Sequence, residues 1–316
     1  MISGARKPGS CPTPALEAPM TFEMFLQHCF NALTLGSLYA LIAIGYTMVY
    51  GILRLINFAH GDILMVGAYF IFFGTFAFGW PWGMAAIISI LAAGALGVII
   101  DRVAYKPLRD APRISALISA IAMSFFIESV AVVVFTGQPR PVLQPEWLTN
   151  AWQIGNLRIT HLAAFVPGMT IVLVCILLYI VYRTKPGLAM RAISKDIETT
   201  RLLGVKVDNI IALTFGLGSA LAAAAGIMWA LRYPQVHPYM GVMPGLKAFI
   251  AAVFGGIGSI EGAVLGGVAL GFVEIMAVAF MPELSGYRDA FAFLLLVLVL
   301  LVKPTGLLGE RLEEKI

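Results

Sequence analysis

The chain has 316 residues, of which 60% are hydrophobic and 12% charged, with a formal net charge of +4 and a mean hydropathy of +0.91. Soluble domains carry about 25% charged residues, so this composition excludes a soluble enzyme or binding domain and marks a polytopic membrane protein. The positive balance reports loop orientation rather than a nucleic-acid partner, because Lys and Arg of membrane proteins concentrate in cytoplasmic loops.

Residues Met1–Pro19 are rich in Pro, Gly, Ala and Ser and have no apolar h-region, so they read as a disordered extension or an upstream start, with the membrane pattern beginning near Met20. A spanning helix needs about 20 mostly apolar residues. Eight runs qualify or nearly so: Phe30–Leu53, Ile63–Phe78, Trp82–Ile100, Ile114–Phe135, His161–Tyr182, Val207–Leu231, Leu246–Met281 and Tyr287–Val302. The longest, Leu246–Met281, is predicted to hold a half-helix and a full helix, broken at "FGGIGSIEGA". The expected fold is all-α: a transmembrane bundle of about eight spans plus a broken or re-entrant segment. It forms one domain over residues 20–303, followed by a cytoplasmic tail over 304–316.

The loops "DRVAYKPLRDAPR" and "YRTKPGLAMRAISKDIETTRLLGVKVD" hold most of the Lys and Arg and are placed in the cytoplasm. Lys303, Arg311 and Lys315 put the tail on the same side, which the half-helix, full helix and final helix between Gly245 and Val302 supply by parity. The Pro-rich loop Gly137–His161 then faces outward, with Trp147 and Trp152 at the interface, as do Trp80 and Trp82 in a short hairpin.

Three polar features interrupt this pattern. In "INFAHGD", Asn57, His60, Gly61 and Asp62 break an apolar stretch. A helix interrupted at membrane depth frees backbone N–H and C=O groups, tolerated only inside protein or against a watery path, so Asn57, His60 and Gly61, ahead of Asp62, are expected to line the substrate path and offer those groups to the substrate. The alternative is a plain cytoplasmic hairpin in which Asp62 caps the following helix. In "AFIAAVFGGIGSIEGAVLGGVALGFVE", Gly258, Gly262 and Gly266 recur every four residues, as do Gly267 and Gly271, a small-xxx-small packing face. Val253–Gly255 echoes Val49–Gly51, each before a polar break, which suggests a weak internal repeat placing Gly255, Gly256 and Gly258 beside the substrate path. In the basic loop, Arg191 and Lys195 share one face of an expected surface helix, Ile193 and Ile197 another. Glu198 precedes Gly204 by six residues, the E-A-A-x-x-x-G spacing with which importer permeases present a helix to an ATPase.

Several chemistries are missing. No G-x-x-x-x-G-K-[ST] phosphate loop, HExxH, CxxC or GxSxG motif occurs, and Cys11, Cys29 and Cys175 lack metal-ligand spacing. No enzyme activity and no metal site is expected.

The ordered segments "LTLGSLYALIAIGYTMVYGILRLINFAHGDILMVGAY", "DRVAYKPLR", "ALISAIAMSFF", "LLGVKVDNIIALTF", "LKAFIAAVFGGIGSIEGAVLGG" and "KPTGLLG" resemble the LivH-type permeases of branched-chain amino-acid ABC transporters, over nearly everything from Met20 onward. The resemblance implies an inner-membrane subunit translocating leucine, isoleucine and valine, with a LivM-type second permease, two ATPase subunits and a periplasmic binding protein as partners. It implies no cofactor on this chain, ATP being used by the partner subunits, and it makes Arg191, Lys195, Glu198 and Gly204 the coupling loop. Permeases for urea, short amides and aromatic acids share the "NFAHG" signature, so a different small substrate is the alternative within the family. An ion-coupled secondary transporter is the alternative outside it.

Overall fold

The computed structural model describes residues 21–309 except 110, 156 and 304. The expected extension and the tail beyond Gly309 lie outside the described residues. Helix α1 (Phe22–Leu53) begins where Thr21 accepts a hydrogen bond from the Met24 amide at 3.3 Å, and ends at Arg54, whose φ of 52° closes it through a bond to the Tyr50 carbonyl. It is apolar all round and almost wholly buried from Thr34 to Val49, the signature of a central helix.

Beyond Arg54 the chain turns back without helix to α2 (His60–Phe76), whose 17 residues rise about 25 Å and cannot span a bilayer core of about 30 Å. Helix α3 (Trp82–Ile100) runs on through a π-helical turn (Asp101–Tyr105) and a 3-10 turn (Lys106–Leu108). It is followed by α4 (Arg113–Phe135), strand β1 (Arg140–Pro141), the short α5 (Glu146–Thr149), and strands β2 (Ala151–Ile154) and β3 (Leu157–Thr160). Then come α6 (His161–Arg183), α7 (Lys185–Lys195), α8 (Ile197–Leu202), α9 (Val207–Arg232) and strand β4 (Gln235–Val236). The chain closes with α10 (Val242–Gly255), α11 (Ile260–Phe280), a 3-10 turn (Pro282–Tyr287) and α12 (Arg288–Val302). The strands form two small antiparallel pairs, β1 with β4 and β2 with β3, so the fold is all-α as expected.

Among the described residues, seven helices are long and apolar enough to cross a membrane, and α2 and α10 are the two shorter apolar ones. The predicted break is present: α10 stops at Gly255 and α11 starts at Ile260. The run ahead of it begins earlier than hydropathy indicated, at Val242, because Pro244 is accommodated in the first helical turn, where a missing N–H costs nothing.

The contacts fix the direction of every helix. Arg109, after α3, bonds Asp101 at 2.7 and 2.9 Å and Asp208, at the start of α9, at 2.6 Å, with Lys106 on Asp208 at 3.0 Å. The basic loops therefore share one end of the bundle. At the other, Thr34 donates to the Ala163 carbonyl at 3.1 Å, and Trp82, Trp147 and Phe165 pack edge to face.

In this frame α1–α4 and α9–α12 run in opposite senses with the same plan: a long helix, a non-helical return, a half-helix and two further helices. Helix α1 packs on α11 as α9 packs on α3, and α2 lies on α9 as α10 lies on α1. This is an inverted internal repeat, but in a different register from the echoed tripeptides, since Val49–Gly51 ends α1 and Val253–Gly255 ends α10. Small residues allow these approaches. A Cβ on Gly67 would fall 2.6 Å from Ala223, Gly267 and Gly271 lie against Ala40 and Gly36 of α1, and Gly262 and Gly266 lie against Gly255 and Ala251 of α10. Gly258 is not part of that face: it is exposed, with nothing within 4 Å of the position a Cβ would take.

A buried ionic cluster fixes α10 from its other side. Lys247 donates to Glu274 at 2.6 Å and pairs with Asp289 at 2.6 Å, Arg288 also pairs with Glu274, and Tyr39 donates to Glu274 at 2.8 Å. Two cations and two carboxylates leave the cluster neutral, the condition for keeping charge inside a helical bundle.

Candidate functional site: a cavity where two half-helices meet

The "INFAHGD" segment is the return between α1 and α2, and its polar groups diverge. Asn57, 2% exposed, accepts from the Tyr105 hydroxyl at 2.8 Å, tying the return to the π-helical turn near the basic end. His60, also buried, packs on Tyr46 with ring centroids 4.6 Å apart and against Gly45. Both fasten α2 to its surroundings and neither lines a cavity.

Gly61 and Asp62 are placed differently. A Cβ on Gly61 would fall 2.7 Å from the Gly241 carbonyl oxygen, and Gly245 approaches from the first turn of α10, so the N-termini of the two half-helices abut. Asp62 accepts from Ser124 of α4 at 2.5 Å and lines the same cavity as Glu128, one turn further along α4. It is therefore not the side-chain cap of α2, which has none. Tyr46, Phe58, Val242 and Leu246 complete a cavity of about 190 Å³ around these groups. A broken helix was expected to offer free amides to a substrate. Two of the first amides of α2 are instead engaged, His60 with the Asn57 carbonyl and Asp62 with the Ala59 carbonyl, both at 3.1 Å.

Gly255, Gly256 and Gly258 lie at the basic end, away from this cavity. The chain after α12 covers them: Leu307 and Leu308 donate to the Phe254 and Gly255 carbonyls at 2.9 and 2.8 Å, and Gly309 sits on Gly256. Their positive φ values, 110° at Gly256 and 104° at Gly258, make the turn into α11 and require glycine.

The expected surface helix of the basic loop is two helices. Asp196 leaves helical geometry (φ −156°) and caps α8 by accepting from the Glu198 and Thr199 amides at 3.0 and 3.1 Å. Ile193 is buried and Ile197 packs on the core edge, as their spacing suggested, although they belong to separate helices. Arg191 stands over the Tyr182 ring at 5.3 Å, Lys195 and Glu198 are exposed, and Gly204 follows α8 with φ 83°. Between them Leu202 and Leu203 are 88% and 77% exposed.

Ser124, Glu128, Tyr46, Gly241 and Gly245 were not anticipated. Glu128 had a signal, being the lone ionisable residue of the apolar run Ile114–Phe135. Gly241 follows Pro234 and Pro238 just before an apolar run, which is the punctuation of a chain reversal.

Seven helices of membrane-spanning length among the described residues, with two opposed half-helices that meet at a small cavity, define a multi-pass membrane protein. The family described as branched-chain amino acid transport system / permease component matches residues 28–300, and the chain belongs to it. The chain is 44% identical to the high-affinity branched-chain amino acid transport system permease protein LivH of Escherichia coli K12, over 93% of this chain and 99% of the relative. It is 42% identical to BraD of Pseudomonas aeruginosa, over 92% of this chain and 98% of the relative. The ribose import permease protein RbsC of Escherichia coli K12 is more distant, 27% identical over 79% of this chain and 77% of the relative. A solved inward-facing metal-chelate type ABC transporter aligns with a TM-score of 0.42 at 16% identity, over 93% of this chain and 88% of that one.

Proposed function

We propose that this chain is the membrane-spanning permease subunit of an ABC importer that moves leucine, isoleucine and valine across the bacterial inner membrane. The observation that carries the reading is the full-length 44% identity to a permease named for branched-chain amino acids. The partners are a LivM-type second permease, two ATPase subunits and a periplasmic substrate-binding protein, and ATP is used by the ATPases rather than by this chain. The basic end, with the tail, faces the cytoplasm, in keeping with the Lys and Arg of its loops. There Leu202 and Leu203, framed by Arg191, Lys195 and Glu198, offer an apolar, charge-rimmed contact of the kind an ATPase groove covers.

Among the described residues, the Asp62–Glu128 pair favours an ion-coupled carrier. The two readings separate in proteoliposomes holding the full complex. Leucine uptake that requires internal ATP and survives collapse of the proton and sodium gradients is expected. Uptake driven by an ion gradient without ATP overturns the importer assignment.

A further inference from the structure

The acidic end of the half-helix cavity has no counter-charge. Asp62 is 2% exposed and receives one hydroxyl donor, Ser124. Glu128 lines the cavity with Asp62, and among the described residues neither carboxyl forms an ion pair with Lys or Arg. The other buried carboxylates differ: Asp101 holds Arg109, and Glu274 holds Lys247 and Arg288. Two neighbouring carboxyls repel unless a proton or a cation offsets their charge, and here no Lys or Arg among the described residues does so.

Its location points the same way. Glu128 is only half-buried and sits midway along α4, a helix otherwise little covered by the rest of the chain. A carboxyl at that depth does not face lipid; it faces a water-filled route or protein. The cavity holds both acids in its lining. Its remaining wall is apolar, Phe58, Ile121, Val242 and Leu246, and two of the first amides of α2 are already engaged, so it offers acceptors at one end and hydrocarbon elsewhere.

We infer that Asp62, Ser124 and Glu128 form an ammonium-binding subsite that receives the α-amino group of the translocated amino acid, with Val242, Leu246 and Ile121 against its aliphatic side chain. This rests on the amino-acid transport reading and narrows it. A primary ammonium donates three hydrogen bonds and accepts none, matching a pair of carboxyls, whereas urea, short amides and carboxylic acids without an amine bring no cation. At about 190 Å³ the cavity is smaller than the roughly 300–1,000 Å³ of drug-sized sites and suits one small ligand.

The test uses the complete transporter in liposomes and dicyclohexylcarbodiimide, which modifies carboxylic acids in apolar surroundings, with the modified peptide read by mass. Modification at Asp62 or Glu128 is expected to fall several-fold with L-leucine and not with 4-methylpentanoate, which has the same skeleton without the amine. Glu128→Gln and Asp62→Asn are expected to lower leucine uptake at least tenfold while the complex still assembles and hydrolyses ATP. Equal protection by both compounds, or variants that transport leucine at the wild-type rate, overturns the subsite. A wild-type complex that does not transport leucine at all overturns instead the transport reading on which it rests.

Discussion

The two polar breaks, Asn57–Asp62 and Gly255–Ser259, look alike in sequence and do different work. Each lies at or after a Val-aromatic-Gly triplet, with an acid at or just past its end, Asp62 and Glu261. The first is a return into the bundle interior, where α2 starts against Gly241 and Gly245 and its Asp62 lines a cavity. The second is a turn at the basic end, covered by Leu307–Gly309, and its Glu261 accepts from Tyr182 at 2.9 Å at the surface. The true counterpart of the first break is the non-helical stretch after β4 that ends at Gly241 and starts the other half-helix. Glycine and polar residues mark a chain reversal; what sets its depth is the length of helix that follows and whose backbone it meets.

The largest effect expected from this difference is at the half-helix junction. A side chain on Gly241 would collide with the Gly61 carbonyl, which is backbone on backbone and has no rotamer to yield. Overpacking costs about 1–3 kcal/mol where side chains can shift, and more where they cannot. Gly241→Leu should abolish both a monodisperse folded protein in detergent and uptake. Gly258→Ala meets no neighbour and carries only the strain of its φ of 104°, about 1–2 kcal/mol, and should keep both. Equal behaviour of the two variants would erase the distinction between an interior and a surface break.

The half-helices also differ in how they are held, which sets the next two effects. Helix α10 is anchored by charge: Lys247→Met leaves Glu274, 1% exposed, with Arg288 as its one cation, a loss below the roughly 3–5 kcal/mol of a fully unpaired buried charge. Thermal unfolding of the solubilised protein should show it, and adding Glu274→Gln should restore part of the loss. A single variant as stable as wild type would mean that the cluster is solvated. Helix α2 is tied through its return by a neutral bond, Tyr105 to Asn57. Asn57→Ala strands one buried hydroxyl, about 1–3 kcal/mol, and with Asn57 outside the cavity leucine uptake per folded molecule should be unchanged. A specific uptake defect there would return Asn57 to the substrate path.

Much of the bundle is written in hydropathy. Helices α3, α4, α6, α9 and α12 follow the apolar runs to within a residue or two, since lipid and helical backbone bonding leave few alternatives to an uninterrupted apolar run. The site is less legible. Asn57 and His60 attract attention as polar groups in an apolar stretch, yet Asn57 is held by Tyr105 of the π-helical turn and His60 packs on Tyr46 of the preceding helix, which makes them fasteners. Glu128 was readable as a lone acid, but its pairing with Asp62 depends on α4 crossing α2 some sixty residues away, which no local pattern encodes. The inverted repeat was detectable only as a hint because it is conserved in helix order and not in short matching strings.

The smallest perturbation separates the two breaks most directly. Ser124→Cys and Ile257→Cys, in a background without Cys11, Cys29 and Cys175, each replace one modest side chain, the first in the cavity and the second in the turn before α11. Neither should shift stability by more than about 0.5–1.5 kcal/mol. Both are expected to react with a small aqueous thiol reagent in the assembled transporter, for different reasons: Ser124 because a route reaches it, Ile257 because it is half-exposed in a turn at the basic end. Leucine should therefore slow modification at Ser124→Cys and leave Ile257→Cys untouched, and the nucleotide state should modulate the first more than the second. Protection at both positions would put the Gly255–Ser259 turn on the substrate path after all, and protection at neither, in a complex that transports leucine, would move the path away from the half-helix cavity.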